Sequence, residues 1–214
     1  MNAKCNLVTV LLLCCLIFPG NAQEFNWQDL VNRKQYAAVI ARADSLTPAD
    51  SSDYEVMNAI GQAYEGMLRY RQAYDYYRLC LSMDTTNLDI LNTLARTATN
   101  LGKAKDAERY FHKVLAADSL NFYANYQLAR LYFQLGEYER AVDTYEKLQA
   151  RNEDNTALYR AIGDCYSRLE QYPSATIAYF QAYNLNRENA GLAGALVNTL
   201  YRMGVGCSGF FFLG

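Results

Sequence analysis

The feature that most constrains this chain is a side-chain pattern that returns every 34 residues. Four consecutive blocks carry the pattern, and they begin at Tyr54, Leu88, Phe122 and Thr156. In every block position 8 is glycine or alanine, position 20 is alanine and position 24 is aromatic. The residues concerned are Gly61, Ala95, Ala129 and Gly163, then Ala73, Ala107, Ala141 and Ala175, then Tyr77, Phe111, Tyr145 and Tyr179. A fixed period of this length predicts small units that bury a continuous core by stacking.

The apolar positions inside each block indicate two amphipathic helices. Positions 4, 7, 8 and 11 lie on one helical stripe, and positions 17, 20, 24, 27 and 28 lie on another. The small residues at positions 8 and 20 let the two backbones approach, and the aromatic residue at position 24 fills the space around that contact. We therefore predict an all-α fold in which each block is a pair of helices.

The blocks resemble the tetratricopeptide repeat, a 34-residue helix-turn-helix unit. The third block carries the pattern best, with Leu128, Ala129, Tyr132, Gly136, Tyr138, Ala141 and Tyr145 in place. The first block departs from the pattern, because Leu68 stands where the family has a turn glycine. No block has the family's proline at position 32, and asparagine closes all four blocks instead. The resemblance implies an α-solenoid of antiparallel helix-turn-helix repeats that serves as a non-enzymatic protein-protein interaction module.

The repeat phase divides the whole chain. The predicted units are a signal peptide (1–22), a degenerate capping helix pair (23–53), four repeats (54–87, 88–121, 122–155 and 156–189), a trailing helix (190–203) and an irregular tail (204–214). The tail shows no second-helix pattern, which suggests a truncated or frame-altered version of a longer array. Self-association through this end of the array is an open alternative.

Residues 1–22 have the pattern of a secretory signal peptide. Lys4 precedes an apolar run from Leu7 to Phe18, and a small-x-small site ends at Ala22. This run is too short for a transmembrane helix, which needs about 20 residues. We expect export, to the periplasm or elsewhere outside the cytoplasm. Lipidation at Cys14 or Cys15, which would make an outer-membrane lipoprotein, is disfavoured because the residue before each cysteine is Leu or Cys and the chain stays apolar through Phe18.

Composition and the cysteine count limit the classes of partner. The chain has 20 basic and 22 acidic residues, so it offers no general attraction for nucleic acid or anionic lipid. Cys80 and Cys165 occupy positions that the repeat pattern places in or beside the core. We interpret both as buried structural residues.

The family resemblance also implies which side chains meet a partner. First helices of successive repeats line a concave groove, into which positions 2, 5, 6, 9, 12 and 13 face. The candidate groove residues are Asn58, Gln62, Asn92, Arg96, Tyr123, Tyr126, Gln127, Arg130, Phe133, Arg160, Asp164 and Arg168. Amides could bond a peptide backbone, arginines its carboxylates, and the aromatic residues of the third block an apolar anchor. The alternative is that these residues form an ordinary solvated helix face.

The sequence offers little for catalysis. His112 is the only histidine, and no cysteine or carboxylate cluster at metal-ligand spacing accompanies it. No phosphate-binding glycine loop or nucleophile elbow is present in the sequence. We expect no enzyme activity, no cofactor and no metal. The leading hypothesis is a module that binds a protein or peptide in its groove, and the alternative is a structural scaffold of a cell-envelope assembly.

Overall fold

The computed structural model describes residues 26–46, 53–151 and 154–204. Eleven α-helices and no strand occur in these residues, which confirms the predicted all-α fold. In chain order the helices are α1 (Trp27–Asn32), α2 (Tyr36–Ala43), α3 (Tyr54–Gly66), α4 (Tyr70–Met83), α5 (Leu88–Asn100), α6 (Ala104–Ala117), α7 (Phe122–Leu135), α8 (Tyr138–Gln149), α9 (Thr156–Arg168), α10 (Tyr172–Leu185) and α11 (Ala190–Arg202). The predicted signal peptide, and all of the predicted tail after Gly204, lie outside the described residues.

The helices pack in consecutive pairs. Helices α3 and α4, α5 and α6, α7 and α8, and α9 and α10 form the four pairs, and the second helix of each pair also packs on the helix that follows. Helices α1 and α2 pack against α3 at one end, and α11 packs against α10 at the other. The result is an α-solenoid in which every first helix starts at the first residue of a block. None of the described helices combines the length and apolar character needed to cross a bilayer.

Each pair is held together by the small and aromatic positions of the repeat. The four alanines at position 20 are fully buried, and the aromatic side chains at position 24 are at most 4% exposed. Gly61 shows how tight the contact is, because a Cβ atom placed there would lie 2.6 Å from Cε1 of Tyr77. The tyrosine ring therefore occupies the volume that any larger residue at Gly61 would need.

First helices begin at side-chain caps. Asp53, Asn87, Asn121, Asn155 and Asn189 each accept a hydrogen bond from a backbone N–H in the first turn of the helix that follows. Such a cap satisfies donors that would otherwise lack partners and contributes about 1 kcal/mol. The asparagine that closes each block thus starts the next repeat.

The turn between the two helices of each unit uses a left-handed residue at position 15. Gly102 and Gly136 have φ values of 70° and 79°, as the repeat pattern leads one to expect. Leu68 and Glu170 occupy the same position in their repeats with φ values of 59° and 58°. A residue with a Cβ atom is disfavoured there by about 1 to 2 kcal/mol. The backbone of the repeat therefore imposes this conformation even where glycine is missing.

Replacing Leu68 with glycine should stabilise the protein by up to about 1 kcal/mol. The substitution relieves the left-handed strain, which exceeds the extra chain entropy that glycine brings to the unfolded state. Leu68 is 70% exposed, so little packing is lost. Urea unfolding followed by circular dichroism measures the change. The matched control is Gly136→Ala, which introduces the strain and should destabilise; a loss of stability in Leu68→Gly would contradict the argument.

The two described cysteines are free thiols inside the core. Cys80 and Cys165 have no exposed surface. Burial raises the pKa of Cys80 to about 11, and burial with the nearby Asp164 carboxylate raises the pKa of Cys165 to about 12. Since the thiolate is the reactive form, both groups are protected by burial and by protonation.

Iodoacetamide at pH 8 should therefore leave Cys80 and Cys165 unmodified in the folded protein. Peptide mapping by mass spectrometry gives the extent of alkylation at each cysteine. The same reaction in denaturant is the control and should modify both residues within minutes to hours. Rapid alkylation of either residue without denaturant would show that its helix pair opens readily.

Candidate partner-binding face

Two of the predicted groove residues, Gln62 and Arg96, contact the first helix of the preceding unit. Gln28 Nε2 in α1 donates to Gln62 Oε1 in α3 at 3.3 Å, and these two residues are 34 positions apart. Arg96 in α5 binds Glu65 in α3 across the next boundary. Position 9 of one repeat thus meets position 9 or 12 of the repeat before it. We call this surface, formed by α3, α5, α7 and α9, the first-helix face.

The boundary between the first and second repeats is closed by an ion pair. Arg96 Nη2 donates to Glu65 Oε2 at 2.9 Å, and Nη1 lies 2.5 Å from Oε1. The Tyr77 hydroxyl donates to the same Oε2 at 3.0 Å. Burial, together with the Glu65 carboxylate, raises the pKa of Tyr77. The guanidinium of Arg96, a predicted groove cation, is therefore already engaged within the protein.

The corresponding boundary between the third and fourth repeats is open. Phe133 at position 12 and Asp164 at position 9 stand where Glu65 and Arg96 stand in the first boundary, and they cannot form an ion pair. A pocket of about 320 Å³ lies here. Its lining comprises Tyr126, Arg130, Phe133 and Gln134 of α7, Tyr145 of α8, and Ala161 and Asp164 of α9.

The aromatic side chains of this pocket are fixed by their neighbours. Tyr126 stacks on Phe122 with ring centroids 5.9 Å apart and meets the Tyr145 ring edge-on at 5.5 Å. Phe133 meets Tyr138 edge-on at 5.4 Å. Ring contacts of this kind contribute about 0.5 to 1.5 kcal/mol each beyond the burial of area. Tyr126 is half-buried by them, so it serves both as a packing residue and as a wall of the pocket.

Charged side chains surround the apolar part of the pocket. Arg130 is exposed and donates to Gln127 Oε1 at 3.2 Å. The Tyr179 hydroxyl donates to Asp164 Oδ1 at 2.7 Å, and Arg160 Nε lies 4.0 Å from the other carboxylate oxygen. The guanidinium of Arg168 lies over the Phe133 ring at 5.8 Å. Cationic donors and a carboxylate acceptor thus lie close to the aromatic rings of the pocket.

The remaining predicted residues lie elsewhere on the first helices. Asn58, Gln62 and Asn92 are half-buried, whereas Tyr123 is 40% exposed. Asn92 Oδ1 is shielded from solvent and accepts no hydrogen bond from the described residues. An unpaired buried acceptor costs about 1 to 3 kcal/mol, which makes Asn92 an unusual residue at this position.

Gln134 lies at groove position 13, and two further residues of the pocket are missing from the candidate groove residues. Position 24 of the repeat predicts a core residue at Tyr145, yet the ring of Tyr145 also forms part of the pocket wall. Ala161 at position 6 leaves space that a longer side chain would fill. An alanine at a partner-facing position, one repeat after exposed aromatic residues, is the signal that could have located the cavity.

The structure also places the residues considered for catalysis. His112 is exposed on α6, with Nε2 3.7 Å from Glu108 Oε1. Within the described ranges, no group of three or more histidine, cysteine, aspartate or glutamate side chains could hold a metal ion.

Comparisons with known proteins support the repeat architecture. Two family profiles described as tetratricopeptide repeat match residues 54–87 and 101–165. No protein of curated function matches the chain significantly in sequence.

Solved structures share the fold. A MamA fragment from Desulfovibrio magneticus RS-1 is 20% identical with a TM-score of 0.67, and the match covers 71% of this chain and 86% of that one. YrrB, described as a repeat protein with an unusual peptide-binding site, is 17% identical with a TM-score of 0.68, and 79% of this chain and 87% of that one are covered. A repeat protein from Parabacteroides merdae ATCC 43184 is 18% identical with a TM-score of 0.67, covering 84% and 74% respectively. These structures show that the fold is shared. The pattern of small and aromatic positions and the two profile matches agree, and residues 54–87 and 101–165 belong to the tetratricopeptide repeat family.

Proposed function

We propose that this protein binds an extended segment of a partner protein on its first-helix face, with one apolar side chain of the partner seated between the third and fourth repeats. The protein is a non-enzymatic interaction module in this proposal. Family membership supports the broader statement, since repeats of this kind commonly present surfaces to proteins or peptides.

The observation that carries the proposal is the difference between two equivalent repeat boundaries. Arg96 and Glu65 close the first boundary with a two-point ion pair. Phe133 and Asp164 leave the later boundary open as a pocket of about 320 Å³. The same backbone geometry thus holds an ion pair at the first boundary and a cavity with aromatic walls at the later one.

The pocket has the chemical features of a peptide anchor site. Tyr126, Phe133 and Tyr145 provide apolar surface, which stabilises a buried side chain by about 25 cal/mol for each Å² removed from water. Arg130 and Asp164 stand at the rim, where they could bond backbone amides or charged groups of a segment running along the helices. Rigid aromatic residues surrounded by polar groups are typical of the residues that dominate interface energies.

The peptide-binding site named for YrrB supports the idea that this fold accommodates a peptide. We further propose that binding takes place outside the cytoplasm. The support for this is the signal-peptide pattern of residues 1–22.

Two substitutions in the pocket test the proposal. Peptides selected from a displayed random library against the wild-type protein serve as the probe. Ala161→Leu should fill the pocket, and the pair Tyr126→Ala with Arg130→Glu should remove a wall and reverse a rim charge. Each is expected to weaken peptide binding by about tenfold or more, as loss of an interface anchor does. Fluorescence anisotropy measures affinity, and circular dichroism verifies that the helices remain.

The matched control is Lys147→Glu with Ile177→Ala, which reverses one charge and truncates one exposed apolar side chain on α8 and α10. This control should leave the affinity unchanged. If the pocket variants keep full affinity while their fold is intact, the first-helix face is not the binding site. The scaffold alternative, which uses other surfaces, would then be favoured.

A further inference from the structure

A second pocket lies between the second helices of the first and second repeats. It has a volume of about 500 Å³, and its side chains come from α4 and the residues after it, and from Lys103 and α6. Tyr74 and Arg78 are one turn apart on α4. On the other side of the pocket, Tyr110 follows Lys103 by about two helical turns, and Lys113 follows Tyr110 by about one turn. One stripe of each helix thus faces the same space.

The lining of this pocket is strongly basic. Arg78, Lys103, Arg109 and Lys113 line it, whereas Asp106 is its one carboxylate. Arg109 Nη2 donates to Asp106 Oδ1 at 2.7 Å and so neutralises that carboxylate. The other three cations form no ion pair with any residue in the described part of the chain; they are Arg78, Lys103 and Lys113. Three positive charges therefore remain uncompensated.

Two tyrosine side chains hold the centre of the pocket in place. The Tyr74 and Tyr110 hydroxyls lie 3.4 Å apart, and the Tyr74 hydroxyl donates to Asp106 Oδ2 at 3.2 Å. Lys103 Nζ lies 4.3 Å from the Tyr74 ring centroid, and the Arg109 guanidinium lies 5.2 Å from the Tyr110 ring centroid. Burial, with the neighbouring Tyr110 and Asp106, raises the pKa of Tyr74. Tyr74 therefore keeps its proton and adds no negative charge near the cations.

This concentration of positive charge is local. The chain as a whole has a formal net charge of −2, so it is not a general binder of polyanions. The pocket is wide enough for a ligand larger than a single ion. A phosphomonoester carries about 1.5 to 2 negative charges at pH 7, so an anion with two linked phosphoryl groups is needed to balance three cations.

We infer that this pocket, defined here as the α4–α6 basic pocket, binds a small soluble anion that carries two or more linked phosphoryl groups. The site goes beyond the peptide-binding function and does not depend on it. Arg78 offers the planar fork of donors that suits phosphoryl oxygens, and the two lysines supply point charges. Through such a site, the protein would respond to the concentration of a phosphorylated metabolite.

Calorimetric titration with inorganic pyrophosphate tests the inference. Saturable binding with one site per chain is expected, and orthophosphate and citrate should bind at least about tenfold more weakly, since neither places two linked phosphoryl groups against the cations. Arg78→Gln and Lys113→Gln should each raise the Kd by about tenfold or more, because each removes a charge-assisted contact. Lys105→Gln is the matched control, because Lys105 is exposed on α6 and does not line the pocket. It should change the Kd by less than about twofold.

Several results would overturn the inference. Absence of saturable pyrophosphate binding would do so, as would an equal effect of Lys105→Gln and Lys113→Gln. Binding to phosphatidic-acid vesicles without binding to pyrophosphate would identify a membrane surface in place of a soluble ligand. The peptide-site variant Arg130→Glu should keep wild-type pyrophosphate affinity, so failure of either proposed site leaves the other separately testable.

Discussion

Gly61→Ala should lower the free energy of unfolding by about 1 to 3 kcal/mol. Alanine is the better helix former by about 1 kcal/mol, so propensity alone would predict the opposite sign. The new Cβ atom, however, would lie 2.6 Å from Cε1 of Tyr77, whose side chain has no exposed surface. Overpacking of this kind costs about 1 to 3 kcal/mol. Displacement of the ring also strains the 3.0 Å hydrogen bond to Glu65, which adds to the loss.

Gly194→Ala is the matched control for this substitution. Gly194 lies inside α11 with no atom within 4 Å of a Cβ built there. Helix propensity then acts alone, and the variant should be more stable by about 0.5 to 1 kcal/mol. Urea unfolding curves of the two variants measure the contrast. A stabilising Gly61→Ala would mean that the position 8 contact is looser than the structure indicates.

The protein should unfold sharply in alkali, within about two pH units above the ordinary tyrosine pKa of about 10. Burial is the leading cause that raises the pKa of Tyr77, Tyr145 and Tyr179, and nearby carboxylates add to it for Tyr77 and Tyr179. In the unfolded chain these groups lose their protons near pH 10, whereas in the folded protein they keep them. The unfolded state then binds fewer protons, so stability is intact below pH 10 and falls as the pH rises further.

The size of this effect follows from the number of buried groups. Each such tyrosine removes about 1.4 kcal/mol per pH unit, so the three together remove about 4 kcal/mol per unit. Domains of this kind are stable by about 5 to 15 kcal/mol. Helix content and tyrosinate absorbance, followed together against pH, should therefore change in one cooperative step.

Tyr145→Phe separates this ionisation effect from packing. The Tyr145 hydroxyl forms no hydrogen bond with the described residues, so its removal should change stability little at pH 7 and should raise the alkaline midpoint. Tyr201→Phe is the control, because Tyr201 is 78% exposed and should leave the midpoint unchanged. Titration of the buried tyrosines near pH 10 with helices intact would contradict the expected mechanism.

Most of the fold could be predicted because its determinants repeat within each unit. The small residue at position 8, such as Gly61 or Ala129, packs on the partner helix of the same repeat. The aromatic residue at position 24, such as Tyr77 or Tyr145, does the same from the other helix. A single period therefore shows both sides of the contact. The turn at Leu68 was not predictable from residue type, since leucine disfavours a left-handed φ. Backbone hydrogen bonds hold the turn instead, since the N–H of Leu68 donates to Glu65 O and the N–H of Arg69 donates to Tyr64 O, both at 2.8 Å.

The candidate sites were only partly predictable because they depend on pairs of residues from different repeats. Arg96 and Arg130 both stand at position 9 of their repeats, so the sequence pattern predicts either one equally well as a groove cation. The structure separates them, since Arg96 meets Glu65 of the preceding repeat and Arg130 lines an open pocket. The α4–α6 basic pocket could not be predicted from the sequence for the same reason, because Arg78 and Lys113 belong to different repeats.

Site-specific photo-crosslinking tests the central claim, that a partner peptide occupies the pocket between the third and fourth repeats. A benzophenone side chain is introduced in place of Gln134, which is exposed at the rim of that pocket. Ile177, which is 61% exposed on α10, is replaced in the same way as the control position. With a library-selected peptide, crosslinks should form from position 134 and not from position 177. Crosslinks from position 177 alone, or equal yields from both positions, would contradict the proposed binding face.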